Sequence, residues 1–247
     1  MDLGLTDKTY VVTGGSRGLG RAGAAALLAE GAHVVLASRD ADRVAAAASA
    51  LGCAGLALDL ADPGAADRLV ETALSTYGRL DGALVSGGGP PAGASFELTD
   101  EQWRSSFESV FLGPVRLCAA VVAALPAEGG SIAIVLSSSV KMPVGGISAS
   151  NGLRPGLGML AKMMADEHGP RGVRVNGLLP GRVATDRLDE LYGVDPATRA
   201  RLAEGVPLQR DGLPEEFGRV AAFVLSPAAS YVSGAMIPVD GGAGRAL

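Results

Sequence analysis

Short apolar runs rich in β-branched residues alternate along the chain with longer alanine-rich stretches. Tyr10-Val11-Val12 is the first such run, and a glycine cluster follows it. Residues 21–30 then read as a helix closed by Gly31, a residue free to take the left-handed conformation that ends helices. Residues 33–37 form the next expected strand and 42–50 an alanine-rich helix; 54–58 is a third strand. Asp62-Pro63 has the pattern of an N-cap with proline in the first turn, predicting a helix from there to about residue 77. Residues 83–85 make a fourth strand. Thr99 and Gln102 have capping-box spacing and start a helix running towards residue 125. Residues 132–136 and 173–175 are the fifth and sixth strands, separated by a helix that ends near His168-Gly169-Pro170.

Continuously apolar strands alternating with helices imply a parallel sheet covered on both faces. The predicted fold class is therefore α/β: a Rossmann-type doubly wound sheet in a single domain spanning 1–247. Between residues 182 and 211 the pattern gives way to Asp186, Arg187, Asp189, Glu190, Asp195, Arg199, Arg201, Glu204 and Arg210. Loops beyond the carboxyl ends of strands overlie the ligand crevice in such folds, so a substrate lid and a plain surface excursion are both open here.

Composition narrows the class further. With 48% hydrophobic and 19% charged residues, the chain is not of a disordered type. A net charge of −5 leaves no basic footprint for nucleic acid or an anionic membrane. Cys53 and Cys118 cannot make a disulfide framework. Uninterrupted apolar runs such as 118–125 fall far short of the roughly 18 residues of a membrane span. Residues 1–4 lack a basic segment followed by an apolar one. The expectation is a cytoplasmic protein acting on a small molecule, with no nucleic-acid or membrane partner and no metal site.

The candidate chemistry begins at Thr13-Gly14-Gly15-Ser16-Arg17-Gly18-Leu19-Gly20, which lies between a strand and a helix in the first βα turn. Glycines there allow a tight turn and close approach of backbone to a phosphate, and the helix behind offers free N–H groups and a positive dipole end. The spacing resembles the short-chain dehydrogenase/reductase (SDR) family, and the resemblance extends over nearly the whole chain, 3-oxoacyl-ACP reductases being similar members. Asp59-Leu60 matches the family's adenine-contacting pair. Val85-Ser86-Gly87-Gly88 stands at its Asn-Asn-Ala-Gly position. Arg174-Val175-Asn176 and Pro180-Gly181-Arg182-Val183-Ala184-Thr185 match two further signatures, the second implying contacts to a nicotinamide through Pro180, Gly181, Val183 and Thr185. Pro238-Val239-Asp240-Gly241-Gly242 matches the C-terminal strand and turn. The resemblance also implies a homotetramer or homodimer built on the helices around 100–124 and 150–168.

Charge argues for the cofactor. Sites for NAD place an acid at the end of the second strand, where it repels a 2′-phosphate. That position is Ser38, followed by Arg39, and Arg39 with Arg17 can clamp a 2′-phosphate. Asp40 is expected to cap the next helix instead. NADPH is favoured.

The SDR catalytic set of Asn, Ser, Tyr and Lys is mostly replaced. By the family's spacing from Asn176, the tyrosine position is Ser150 and the lysine position is Arg154; the serine position is Ser137 and the asparagine position Val110. An alternative register puts Ile147 and Asn151 at the tyrosine and lysine positions. Ser137, Ser150 and Arg154 are the candidate catalytic residues, with a purely structural role as the competing reading. Pro155 biases Arg154 away from helical dihedrals. Tyr192 is a candidate substitute acid, and Lys141 a candidate substitute cation. The glycine-proline run 87–91 either leaves room for a flat substrate or makes a simple tight turn.

A serine is a far poorer acid than a phenol of pKa about 10, and arginine cannot shuttle protons. Reduction of a plain ketone gives an alkoxide, whose conjugate acid is about as weak as water. A quinone or conjugated carbonyl gives a phenolate- or enolate-like anion and needs on the order of 7–8 kcal/mol less acid assistance. The expectation is an NADPH-dependent reductase of carbonyl or quinone-like acceptors, an aromatic polyketide intermediate among them. The alternative is a catalytically inactive NADP-binding homologue acting in sensing or assembly.

Overall fold

Each buried strand sends alternate side chains to opposite faces, so a run apolar at every position must be covered twice. The computed structural model, which describes all residues except Met1, Val194 and Leu247, shows that arrangement. Strands β1 (Thr9–Thr13), β2 (His33–Ser38), β3 (Ala54–Ala57), β4 (Gly82–Ser86), β5 (Gly130–Val135), β6 (Val173–Pro180) and β7 (Met236–Val239) form one sheet. Its order is β3-β2-β1-β4-β5-β6-β7, with every pairing parallel. The order reverses between β1 and β4, where an open α/β sheet places its ligand crevice.

On one face, Val11, Val35, Ala83, Val85, Ile132 and Ile134 pack under α3 (Ala65–Tyr77), α5 (Gly113–Ala124) and α6 (Ser148–His168). On the other, Tyr10, Val12, Val34, Leu36, Leu84 and Ala133 pack under α1 (Gly18–Ala29), α2 (Ala41–Leu51) and α9 (Pro214–Leu225). The single-domain α/β class expected from the pattern is the one observed.

Two local differences have physical causes. Helix α3 begins at Ala65 behind Gly64, because Asp62 uses its backbone carbonyl in a turn to Ala65 N and does not act as the N-cap. Pro155 does not break α6, which runs unbroken over 21 residues, so Arg154 is helical despite preceding proline. The helix starting at Thr99 carries the expected capping box: Gln102 N donates to Thr99 Oγ1 at 3.2 Å and Thr99 N to Gln102 Oε1 at 2.9 Å. It continues as α4 (Asp100–Phe107), one π-helical turn at Glu108–Leu112, and α5.

The stretch Asp100–Ala124 is, by length and composition, apolar enough to cross a membrane, which the short uninterrupted runs of the sequence did not suggest. In the fold its inner face is core: Leu117, Cys118, Val121 and Val122 are buried. Its first half lies on α6, where Gly152 and Gly156 admit Trp103 and Phe111 to within about a methyl group's width.

The Arg-Val-Asn signature is a staple for the C-terminal end of the sheet's last layer. Arg174 donates to the carbonyls of Val224, Leu225, Ser226 and Val232, which terminate α9 and the turn beyond it. Asn176 Nδ2 donates to Val232 O at 2.9 Å while its Oδ1 accepts from Ala235 N at 3.0 Å, seating β7 beside β6.

Candidate active site

The glycine turn sits at the reversal point and is built so that a side chain would not fit. Gly14 has φ +60°, and a Cβ there would lie 2.5 Å from Ser86 O; at Gly20 it would lie 2.4 Å from Gly14 O. Gly18 opens α1 with φ +56°. Arg17 precedes that helix in an extended conformation and gives it no side-chain cap. The first N–H groups of α1, at Gly18, Leu19 and Gly20, therefore lack the partners a cap would supply, as an anion site requires.

Ser38, Ser86 and Thr185 meet this turn, and the other sequence candidates lie beyond the carboxyl ends of β3 and β6. Ser16 and Ser38 hydroxyls are 3.0 Å apart. Thr13 Oγ1 bridges to both Ser86 N and Ser86 O, fixing the start of the Gly87-Gly88 loop. Asp59 accepts from Ala61 N beyond β3 with Leu60 buried beside it. Gly181, after Pro180, lies against Asp240, and Val183 bridges to Gly212. Thr185 Cγ2 packs at 3.5 Å from where a Cβ on Gly18 would stand.

The two arginines proposed for a phosphate are placed differently. Arg39 is exposed at the end of β2 with a guanidinium nitrogen reaching to about Gly88, and no ion pair holds it among the described residues. Asp40 caps α2 by accepting from Arg43 N at 3.0 Å, as expected. Arg17 instead pairs with Asp186 at 2.9 Å and Glu190 at 3.4 Å, both on α7 (Asp186–Tyr192). Those contacts raise its pKa, the Asp186 hydrogen bond most of all. The 182–211 segment thus carries two helices, α7 and α8 (Pro196–Ala203), and its first helix is tied to the glycine turn.

At the carboxyl end of β5 the candidate catalytic residues separate. Ser137 starts a 3-10 turn, Ser138–Val140, by accepting from Ser139 N at 3.1 Å, which leaves its own hydroxyl hydrogen free to donate. Ser150 does not meet it. Ser150 is 4% exposed, and its oxygen lies 3.4 Å from that of Ser139, likewise buried. Sequence spacing chose Ser137 for the tyrosine position's partner; the tight turn carries Ser139 there instead, a geometry that no local pattern announced. Ser138 lines a cavity of about 200 Å³ with Lys141, Met142 and Pro238.

Arg154 lies behind this turn. It is 7% exposed and Nη1 donates to Val135 O at 2.7 Å and Leu136 O at 2.9 Å, so its charge stands next to the peptide that leads into Ser137. Burial and, to a lesser degree, the Arg187 charge lower its pKa to about 10, and it stays cationic at neutral pH. No carboxylate pairs with it among the described residues. Asn151, from the alternative register, is committed to pinning the loop: its amide donates to Val144 O and accepts from Val144 N.

Of the four tyrosines, Tyr10 and Tyr77 donate to backbone carbonyls of Leu225 and Val34, and Tyr231 projects into solvent. Tyr192 lies under the Arg182 guanidinium, 4.9 Å from its carbon, and lines a cavity of about 430 Å³ with Ala92, Glu97, Gly146 and Ile147. The bare backbone at Gly89 has a specific use: a Cβ there would lie 2.4 Å from Arg187 Nε. Arg187 Nη2 donates to Pro90 O at 2.7 Å, so α7 spans the crevice to this loop. The run 87–91 therefore seats an arginine that the sequence had shown only as one more charge in a polar stretch.

A family model described as enoyl-(acyl carrier protein) reductase matches residues 14–244. Human dehydrogenase/reductase SDR family member 4 is 33% identical over 246 residues, covering 96% of this chain and 88% of that protein. The crystal structure of L-sorbose reductase from Gluconobacter frateurii, complexed with NADPH and L-sorbose, superposes with TM-score 0.92 at 32% identity over the whole of both chains. A short-chain oxidoreductase from Pseudomonas aeruginosa PAO1, described as containing an atypical catalytic center, superposes with TM-score 0.91 at 31% identity, over 98% of this chain and 99% of that one.

Proposed function

The chain belongs to the short-chain dehydrogenase/reductase family, and from that premise we propose that it is an NADPH-dependent reductase of acceptors whose reduced oxygen is stable as an anion. The observation that carries this reading is Arg154, a buried cation without an acid partner, hydrogen-bonded to the two carbonyls that lead into Ser137.

The residues present fit the cofactor. Gly14, Gly18 and Gly20 leave the uncapped end of α1 open to a pyrophosphate, as a cradle that a Cβ would fill. Ser16, Ser38 and Arg39 stand where a 2′-phosphate would be read, with Arg17 available once it leaves α7. Leu19, Asp59, Leu60, Ser86, Gly87, Gly88, Pro180, Gly181, Val183 and Thr185 complete the groove. Bound NADPH would supply a hydride to the acceptor carbon.

The chain's own residues then deal with the oxygen. Ser137 donates its free hydroxyl hydrogen, and the Arg154 charge stabilises the anion as it forms, in a setting where electrostatics outweigh those in water. Neither residue supplies a proton at neutral pH, so protonation comes from water after hydride transfer. Ser150, sealed against Ser139, holds the turn in place. Quinones and conjugated aromatic carbonyls suit this site, an aromatic polyketide intermediate among them, and α7 with the rest of 182–211 serves as the substrate lid. The exposed side chains of Phe107, Met159 and Met163 on the Asp100–Ala124 stretch and α6 suit packing between subunits of a homo-oligomer.

The test is to follow NADPH absorbance with matched quinone and plain-ketone panels. Turnover confined to the quinones supports the reading. Equal turnover of unhindered ketones overturns it, as does loss of all turnover in Tyr192→Phe, which would mark a displaced acid. Cofactor binding without oxidation of any acceptor would replace it with the inactive NADP-binding alternative.

A further inference from the structure

We propose that Asp186 and Glu190 are specificity residues for the cofactor. They hold Arg17 as stand-ins for a phosphate, so that a nucleotide with a 2′-phosphate displaces them and frees α7 from the glycine turn, whereas one without it leaves α7 in place. The inference rests on the NADPH reading for the identity of the cofactor, and on the contacts of α7 for the rest.

Helix α7 is a strap fastened on both sides of the crevice. On the glycine-turn side, Arg17 Nη1 donates to Asp186 Oδ2 at 2.9 Å and Nη2 to Glu190 Oε1 at 3.4 Å. On the other side, Arg187 Nη2 donates to Pro90 O at 2.7 Å and Nη1 to Glu190 Oε2 at 3.2 Å. Glu190 thus has one oxygen on each arginine. The two fastenings differ in kind. Arg187 lies over Gly89, where a Cβ would stand 2.4 Å from Nε. The side chains of Arg17, Asp186 and Glu190 are 50%, 66% and 46% exposed, and exposed ion pairs contribute little each. The Arg17 side is the weaker of the two.

What releases it is the chemistry that the two carboxylates imitate. A guanidinium takes carboxylate and phosphate oxygens through the same forked donors, and a phosphate monoester brings about two negative charges in one group. Arg17 stands directly before the open end of α1. A phosphate there competes with α7 for Nη1 and Nη2, and once bound it faces Asp186 and Glu190 as a like charge. The base of the segment stays fastened: Ala184 N donates to Gly212 O and Gly212 N to Arg182 O, each at 2.9 Å, with Arg182 Nε on Asp211 at 2.9 Å. Helix α7 then swings between this base and Gly193, which ends it with φ +76°. Arg39 carries no such stand-in among the described residues, so the phosphate meets an open arginine before it takes the occupied one.

The test uses adenosine 2′,5′-bisphosphate and adenosine 5′-monophosphate, which differ only in the 2′-phosphate, with no acceptor present. Saturating the parent protein with the bisphosphate is expected to quicken hydrogen exchange over residues 186–193 about threefold or more; the monophosphate should leave it unchanged. In the double variant Asp186→Asn, Glu190→Gln, exchange there should be fast without ligand. Its calorimetric affinity for the bisphosphate should rise about threefold to tenfold, and that for the monophosphate should stay within about twofold. Asp189→Asn controls for lost charge: Asp189 is on the same helix but pairs with Arg199 on α8, so both affinities should hold within about twofold. A thermal melt confirms the fold of each variant. An equal gain in Asp189→Asn, or for the monophosphate, overturns the proposal. Bisphosphate binding that slows the exchange of 186–193 or leaves it unchanged overturns the proposal alone, whereas binding of neither ligand, or equal binding of both, removes the NADPH reading with it. Failure of every acceptor to turn over would leave this inference standing and remove the reductase reading.

Discussion

Two buried charges stand at opposite ends of the same sheet and are treated in opposite ways. Asp81, just before β4, is 4% exposed and accepts from Arg79 Nε and Nη2 at 2.8 and 2.7 Å, Thr9 N at 2.9 Å and Lys8 Nζ at 3.1 Å. Burial works against its charged form, but the hydrogen bonds from Arg79, Thr9 and Lys8 outweigh it and hold its pKa below the usual carboxylate range. Arg154, at the end of β5, is about as buried and has no carboxylate partner among the described residues. A paired buried charge serves the fold. An unpaired one, at the carboxyl edge where open α/β sheets bind ligands, serves whatever arrives.

The sharpest way to break this contrast is Arg154→Met. It should lower turnover of a quinone by about 10²–10³-fold, the scale of one oxyanion donor. The same change should leave stability to urea within about 1 kcal/mol, since the lost carbonyl bonds are offset by removing a desolvated charge. A large loss of stability would make Arg154 a structural residue. Next comes Asp81→Asn, which strands Arg79 and Lys8 and should cost about 2–3 kcal/mol in urea melts, at the low end for a broken buried pair because both partners reach solvent. Its NADPH affinity should be unchanged. The smallest effect concerns pH. Because the folded pKa of Asp81 is depressed, its contribution is fully present above its unfolded value near 3.9 and is lost as pH falls through the lower folded value. Below about pH 4 the parent should therefore lose stability more steeply than Asp81→Asn, as followed by acid-dependent melts.

The same contrast explains what the sequence made legible. Nucleotide binding is carried by backbone, and backbone demands leave glycines at fixed spacing: Gly14, Gly18 and Gly20 could be read directly, along with the strands and helices around them. Asp40 as a cap and the Thr99 box were readable because their partners lie three residues away. Side-chain chemistry depends on contacts distant in sequence. Which of Ser137, Ser138 and Ser139 faces Ser150 is set by a one-turn 3-10 segment. That Arg187 spans the crevice is set by where α7 docks against Gly89 and Pro90, 97 residues away for the Pro90 bond. Arg17 looked free for phosphate because Asp186 and Glu190 are remote in the chain. Pro155 misled in the other direction, since packing over the length of α6 outweighs one local preference.

The π-helical turn at Glu108–Leu112 has a wider reach than its five residues. A wide turn adds one residue to a helical path, so excising Ser109 would return the stretch to regular pitch. Everything before it would then swing by about 100° and advance about 1.5 Å along the axis. Trp103 would be turned off Gly152, and the Thr99 box would drag residues 92–97 away from the cavity wall they share with Gly145 and Gly146. That single extra residue works as a spacer, setting where Trp103 meets α6 and where residues 92–97 meet Gly145 and Gly146.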